Sequence, residues 1–275
     1  GDADRIYTLS TNSIEILPGR TYHLDIKLVN GSRYQTLPQR VPLVRAQENT
    51  FRNYNETTSL SDDGVETEQI VFEVLGTTSI DNPENENFYL RWQVVENYLF
   101  FITDFPDPLS FSDAPPPFYC STILNEQRIL TFSSEGARVD SLGVKVVAFT
   151  DFDDSFRLKH FMTTYTHSMT REAYRFWNGV NTLTNATGSI FDIPPGKIVG
   201  NVFNVEDQNE EVLGFVEFTN TTSDRFVTFI DDGPYRPPNP CQWVRNKPED
   251  DYPCHCFRCL ERDNCTTVRP AMFDE

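Results

Sequence analysis

The residues best suited to chemistry are six cysteines, four of which fall within twelve positions near the C-terminus. These four are Cys254, Cys256, Cys259 and Cys265, and the other two are Cys120 and Cys241. Thiolates packed this tightly, with His255 between the first two, could hold a tetrahedral zinc ion. An even count of cysteines is typical of an oxidising compartment, where they form disulfides. We therefore expect disulfides and no zinc, and the sequence leaves their pairing open.

Groups suited to catalysis are sparse. Only four histidines occur, and the metalloprotease, nucleophile-elbow and phosphate-loop motifs are missing from the sequence. The acidic segments 62–64 and 151–154 could offer carboxylates to calcium, but neither follows a full calcium-loop pattern, so we interpret them as ordinary acidic turns. His160 lies in an apolar row and is predicted to be a packed, hydrogen-bonded side chain. The sequence predicts a non-enzymatic protein without metal or cofactor, although a carboxylate pair for glycoside hydrolysis would have no local signature.

The charge balance argues against nucleic acid as a partner. Lys and Arg total 23 against 41 Asp and Glu, which gives a net charge of -18. Such a surface repels phosphates, and we interpret it as a solvated, self-repelling exterior. No apolar run approaches the roughly 20 residues of a spanning helix. The start at Gly1 resembles neither a native terminus nor a signal peptide, so we expect the chain to be a fragment.

Residues 1–45 have the pattern of the last strands of a β-sandwich. Apolar and polar residues alternate from Tyr22 to Leu28, and the Asn30-Gly31 pair that follows is a strong hairpin signal because both residues tolerate positive φ. These strands are too few for a closed core, so the first part of this domain is expected to be missing. The polar stretch from Leu37 to about Ser61 is predicted to be a linker or long loop.

The main domain, residues 46–275, is predicted to be mainly β with one helix. Thr170 is a good N-cap, Glu172 adds negative charge to the first turn, and apolar residues recur at helical spacing to about residue 184. We expect this apolar stripe to be core, not a ligand groove. A strand is predicted at 88–95 and is expected to pair with another at 98–103 across a turn at Glu96-Asn97. Further strands are predicted at 70–74, 128–132, 143–149, 156–165, 197–205, 212–218 and 225–230. A Cys-rich tail follows over 241–275. The acidic segment Glu206–Glu211 is expected to form a hairpin tip.

The helix and its flanks resemble a known family. The stretch Thr166-His-Ser-Met-Thr-Arg-Glu-Ala-Tyr174, followed by Phe176-Trp177, is similar to a helix in a Bacteroidota lipoprotein family of unknown function. That family is commonly encoded beside SusC-type TonB-dependent transporters. The resemblance continues through Pro195-Gly196, Gly200-Asn201-Val202, Val212–Phe215 and Cys256-x-x-Cys259. The chain departs from the family at Asp263–Cys265, where a Gly-Gly pair is usual, and at Met272-Phe273, where Phe-Trp is usual.

The resemblance implies a lipid-anchored protein on the extracellular face of the outer membrane. Its lipidated Cys and most of an immunoglobulin-like β domain would precede Gly1, and the family has no established catalytic residues. Cys254 and Cys265 look like additions to the family pattern, so we hypothesise that they pair with each other. Asp140-Ser141-Leu142 is similar to the O-glycosylation site of Bacteroidota exported proteins, which makes Ser141 a candidate for that modification.

Two classes of function follow as hypotheses. The first is an accessory lipoprotein docked on an outer-membrane β-barrel, expected to be a TonB-dependent transporter, that assists substrate capture or complex architecture alongside other surface lipoproteins. An assembly or secretion barrel would fit the same residues. The second is a free-standing glycan- or peptide-binding module, which exposed faces of Trp92, Trp177 or Trp243 would favour.

Overall fold

The computed structural model describes residues 15–60, 66–100, 118–123, 129–184, 198–241, 248, 251–253, 256, 265–266 and 273. Its one described α-helix, α1, spans Arg171–Thr184, and short 3-10 helices cover Asp154–Arg157 and Ile230–Asp232. The strands are β1 Thr21–Tyr22, β2 Asp25–Lys27, β3 Arg33–Thr36, β4 Gln39–Arg40, β5 Arg45–Leu60, β6 Glu66–Asp81, β7 Tyr89–Phe100, β8 Phe118–Ile123, β9 Thr131–Ser133, β10 Ser141–Asp151, β11 His160–Met169, β12 Val202–Asn204, β13 Asn220–Thr228 and β14 Cys265–Thr266. The prediction of a mainly β chain with one helix is confirmed.

Two large antiparallel sheets enclose the main core. One has the strand order β10-β6-β5, and the other has the order β13-β11-β7-β8-β14, with β9 also paired to β7. Alternate residues of each strand point inward because the side-chain period of a strand is two. The inward set forms one packed cluster that includes Phe72, Val74, Leu90, Trp92 and Met162.

Polar side chains join the two sheets at one corner. From β13, Asn220 Nδ2 donates to the Val44 carbonyl at 3.2 Å, and the Thr222 hydroxyl donates to the Ala46 carbonyl. Asp224 Oδ2 accepts from both the amide and the hydroxyl of Thr50 at 2.7 Å. These bonds satisfy backbone groups at the edge of β5 that would otherwise lack a strand partner.

Two predictions about strand boundaries were wrong. The stretch assigned to a linker contains β5, whose 16 residues pair with β6 along their whole length. Exposed polar residues of β5 alternate with the buried residues Ala46, Glu48 and Thr50. Pairing with β6 therefore makes a strand of a segment whose composition indicates a loop. Glu96 and Asn97 do not form a turn, because β7 runs straight through them in register with Met162 and Phe161 of β11.

The helix prediction is confirmed, but its place in the fold differs from the expected one. The Thr170 hydroxyl caps α1 by accepting from the amide of Ala173 at 3.2 Å. Ala173 is the only residue of α1 that is fully buried, and Leu183 is largely exposed. The helix therefore lies on the outer face of a sheet and does not plug the core.

A small third sheet, β12-β3-β2, lies outside the two large ones. The predicted hairpin at Asn30-Gly31 is confirmed, with β2 and β3 paired and Gly31 at φ +96. The prediction of strands over 197–205 and 212–218 was wrong except at β12, which pairs with β3. The acidic segment between them reverses the chain, since Asn201 and Val216 on its two sides are hydrogen-bonded to each other, but it does not connect two regular strands. Whether residues 1–45 belong to an immunoglobulin-like domain stays a prediction.

Among the described helices, none has the length and apolarity needed to span a lipid bilayer.

Candidate functional site

The cysteine tail contains a disulfide between Cys241 and Cys256. Both residues are buried and pack with Tyr252, so this pair forms a small core of its own. Cys254 and Cys259 lie outside the described residues, and the Cys254–Cys265 pairing stays a hypothesis. No cluster of three or more metal-ligating side chains occurs within the described ranges.

The backbone register offers a second partner for Cys265. Strand β14 pairs with β8 so that Cys265 lies directly opposite Cys120. Opposed residues of antiparallel strands have their Cα atoms about 4.5 to 5.5 Å apart, within the range that a disulfide spans. The sequence gives no signal for this pairing, because 145 positions separate the two residues.

Other predicted residues are distributed over the molecule. His160 is fully buried, and its Nε2 lies 2.9 Å from Glu96 Oε2, which confirms a packed, hydrogen-bonded histidine. Asp153 Oδ1 accepts from the Ser155 amide and caps the short helix that follows it, as expected of an acidic turn. Ser141 is exposed as the first residue of β10. The segment 62–64 lies outside the described residues.

The tryptophans do not form a sugar-stacking surface in the described chain. Trp92 is only 6% exposed and belongs to the main core. Trp177 lies between α1 and the sheet, with the guanidinium of Arg91 stacked 4.4 Å from its ring centroid. Trp243 is outside the described residues. The exposed faces of Trp92 and Trp177 that would favour a free-standing glycan- or peptide-binding module are therefore not observed.

An open groove lies beside α1 and is the strongest candidate for a binding site. It has a volume of about 750 Å³. Its lining comes from three segments: residues 37–40, the α1 region from Thr170 to Gly179, and residues 198–201 with Phe215. The walls carry Leu37, Phe176, Ile198, Val199 and Phe215, and the charged lining residues are Arg40, Glu172 and Arg175. The prediction that the α1 stripe serves only as core therefore misses Phe176, which faces this groove.

Glycines allow the segments of the groove to approach each other. A Cβ at Gly179 would lie 3.3 Å from Ile198, which is close packing between α1 and the third segment. A Cβ at Gly200 would lie only 2.0 Å from the carbonyl oxygen of Gly214, so this position requires glycine. Gly214 itself has φ +109, a conformation that other residues rarely adopt.

A charged network holds α1 against the sheet below the groove. Arg91 donates to Glu217 Oε1 at 2.6 Å, and the indole of Trp177 donates to Glu217 Oε2 at 2.9 Å. His167 lies opposite Arg91 in the register. Burial, with a smaller contribution from the charge of Arg91, lowers the pKa of His167 to about 4. The imidazole is therefore neutral at physiological pH, which avoids a second positive charge beside Arg91.

A second network joins the start of α1 to the loop after β9. Tyr89 donates to Glu135 at 2.7 Å, and Arg171 forms an ion pair with the same carboxylate. Burial and this hydrogen bond raise the pKa of Tyr89 to about 12. The pKa of Glu135 is lowered, mainly by the hydrogen bond from Tyr89 and less by the charges of Arg171 and Arg175.

The most deeply buried charge in the described structure is Glu48, which contacts Trp92 of the main core and does not line the groove. Its carboxylate accepts from Thr78 at 2.7 Å, from the indole of Trp92 at 2.9 Å and from Lys145 at 2.9 Å. A Cβ at Gly76 would lie 1.9 Å from Glu48 Oε1, so the glycine makes room for the carboxylate. Burial lowers the pKa of Lys145, although its partner Glu48 opposes the shift. The cluster is closed, with no space for a ligand at the carboxylate.

Fold and groove together define a mainly β protein with a disulfide in its C-terminal region and an open site beside its one described α-helix. A family model described as a domain of unknown function, DUF4249, matches residues 2–225. Since the match covers most of the chain, the protein belongs to this family. The matched segment ends before the cysteine tail. No curated protein and no solved structure matched the chain. The link to Bacteroidota transporters remains a prediction.

Proposed function

We propose that this protein is a non-enzymatic, lipid-anchored subunit on the extracellular face of the outer membrane. It docks on an outer-membrane β-barrel, a SusC-like TonB-dependent transporter, and helps capture substrate at the mouth of that barrel. The family resemblance motivates the location and the partner. The observation that carries the capture role is the groove beside α1, because its volume of about 750 Å³ and its apolar walls with a few charged groups are typical of ligand-binding sites.

The partner is tested by affinity purification from membranes. The full-length protein, tagged at its C-terminus, is expressed in the organism that encodes it, and the outer membranes are solubilised in mild detergent. We expect a stoichiometric β-barrel of the TonB-dependent class among the co-purified proteins identified by mass spectrometry. An unrelated surface lipoprotein with the same tag serves as the control.

Other outcomes of this purification separate the alternatives. A barrel from an assembly or secretion machine would replace the transporter and give the protein a structural role. Recovery without any barrel would contradict docking and would leave a free-standing glycan- or peptide-binding module, for which the groove would remain the candidate site.

A further inference from the structure

The dimensions of the groove beside α1 limit the size of its occupant. About 750 Å³ lies within the range of sites for small ligands, which is roughly 300 to 1,000 Å³. Stable protein interfaces instead need broad surfaces of roughly 800 Å² per partner. The groove is thus suited to a short molecule that enters it, and not to a folded domain.

The apolar walls of the groove favour a ligand that carries an apolar group. Leu37 is 55% exposed and Val199 is 73% exposed, although both are large aliphatic residues at the surface of a highly charged chain. Phe176 and Phe215 also line the groove, and their rings pack at a tilt with centroids 5.1 Å apart. Removing this apolar surface from water would favour binding.

The rim supplies a positive charge that the described chain leaves available. Arg40 is paired with Glu84 and Glu86, and Arg171 is paired with Glu135. Arg175 lines the groove and is exposed, and it forms no ion pair or hydrogen bond with any described residue, although its charge contributes to the lowered pKa of Glu135. It is placed to bind an anionic group of the ligand.

Gln39 lines the groove, and its side-chain oxygen lacks a hydrogen-bond donor among the described residues. Gln39 is 7% exposed, and its Nε2 donates to the Val216 carbonyl at 2.6 Å, which fixes the orientation of the amide. Gln39 Oε1 is buried and has no donor in the described part of the chain. A buried acceptor without a donor is costly, and a ligand N–H that reached it would remove this cost.

We propose that the groove binds a short peptide through its free C-terminal carboxylate and an adjacent apolar side chain. The carboxylate pairs with Arg175, the apolar side chain contacts the walls, and a backbone N–H meets the oxygen of Gln39. Glu172, one helical turn before Arg175, offers the opposite charge to an N-terminal ammonium. Fatty acids lack the N–H donor, and neutral glycans lack both the carboxylate and the apolar bulk. This assignment deepens the proposed capture role and rests on it.

Isothermal titration with the tripeptide Ala-Ala-Phe tests the proposal. We expect binding of the free peptide and a loss of roughly tenfold in affinity for its C-terminal amide, because the amide cannot form the charged pair with Arg175. The variant Arg175→Gln should lose a similar factor for the free peptide. Its affinity for the amide should stay near that of the unchanged protein.

Matched variants control for general effects on the helix and the surface. Arg171→Gln removes a cation one turn away that does not line the groove, and it should keep full affinity. Val199→Asp adds a negative charge to the wall and should abolish binding. Leu213→Asp makes the same change at a side chain that is 78% exposed but outside the lining, so it should bind like the unchanged protein.

Several results would overturn the proposal: no binding of the tripeptide, equal binding of its amide, equal loss in Arg171→Gln, or binding of decanoate but not of peptide. Circular dichroism confirms that each variant is folded. Co-purification of the barrel by the Arg175→Gln protein separates the two proposals. A retained barrel without peptide binding would reject the peptide ligand alone, whereas peptide binding without a barrel would reject only the docking.

Discussion

The main core and the groove beside α1 differ in whether their charged side chains have partners within the fold. In the main core, the Glu48 carboxylate is fully buried and accepts from three donors. At the groove, Arg175 is exposed and has no ion pair with any described residue. A buried charge must be compensated within the fold, because transfer from water is expensive. An exposed charge stays hydrated and needs no partner within the fold, so it is available to a ligand.

This difference indicates what each region is for. The Glu48 cluster links β5, β6 and β10 to Trp92 of β7, so it ties one large sheet to the other. Its polar groups saturate each other, which suits a structural role. The Arg91–Glu217–Trp177 network is intermediate, since it holds α1 in place directly below the groove. Polar groups in the core are thus bonded to each other, whereas some polar groups at the groove beside α1 remain exposed to solvent.

The largest expected effect comes from opening the closed cluster. Glu48→Leu removes the carboxylate that compensates the charge of Lys145 and accepts from the indole N–H of Trp92, and it should reduce the free energy of unfolding by about 3 to 5 kcal/mol. Urea denaturation followed by fluorescence measures this loss. Glu56→Leu makes the same change on an exposed part of the same strand, and it should change the free energy by less than about 0.5 kcal/mol.

A double variant distinguishes charge from packing in this cluster. Replacing both partners, Glu48→Met with Lys145→Met, removes the unpaired charge and should recover much of the lost stability. If the double variant is as unstable as Glu48→Leu, the pairing of charge is not what stabilises the core.

Removal of the Cys241–Cys256 disulfide should have the next largest effect. The bond closes a loop with a sequence separation of 15, for which chain-entropy arguments give about 3 kcal/mol. The variant with both cysteines changed to Ala should lose about this much in urea denaturation. Unchanged stability would mean that the tail unfolds independently of the main sheets.

Disulfide mapping of the unreduced protein tests the rest of the tail. We expect a peptide that joins Cys241 to Cys256, and from the register of β8 with β14 a second that joins Cys120 to Cys265. A peptide joining Cys254 to Cys265 would instead support the pairing suggested by the family pattern.

The sequence predicted elements whose signals are local. The Thr170 cap and helical spacing located α1 within one residue, and Asn30-Gly31 located the hairpin. It failed where partners are distant in the chain. The polar stretch of β5 is ordered by 16 residue pairs with β6, and Glu96 lies inside a strand because β7 pairs with β11 there, with Glu96 opposite Met162.

The groove could not be predicted for the same reason. Its lining joins segments around residues 38, 175 and 200, and nothing in the local pattern states that they meet. Phe176 and Trp177 belong to one apolar stripe, yet one faces the groove and the other contacts Arg91. The Gly200-Asn201 pair has no local signal apart from the family pattern. Its physical reason is the close approach of Gly214.

A smaller effect is expected from loosening α1. Trp177→Phe keeps an aromatic ring beside Arg91 but removes the hydrogen bond to Glu217 Oε2, and it should cost about 2 kcal/mol because that acceptor is charged. Tyr174→Phe removes a hydroxyl from the neighbouring side chain in the same packed cluster and should cost less than about 0.5 kcal/mol. Equal losses would mean that the charged network does not anchor the helix.

The smallest effect is a pH dependence from His167, which burial keeps neutral, with a smaller contribution from the charge of Arg91. Its pKa is about 4 in the folded protein, below the ordinary value near 6.5 of the unfolded chain. Between these values the unfolded chain binds a proton that the folded protein does not, so the free energy of unfolding falls as the pH falls from about 6.5 towards 4. Urea titrations at pH 7.0, 6.0 and 5.0 measure the slope, and His167→Gln should flatten it. An unchanged slope in this variant would assign the pH dependence to other groups and would place His167 outside the network of Arg91 and Glu217.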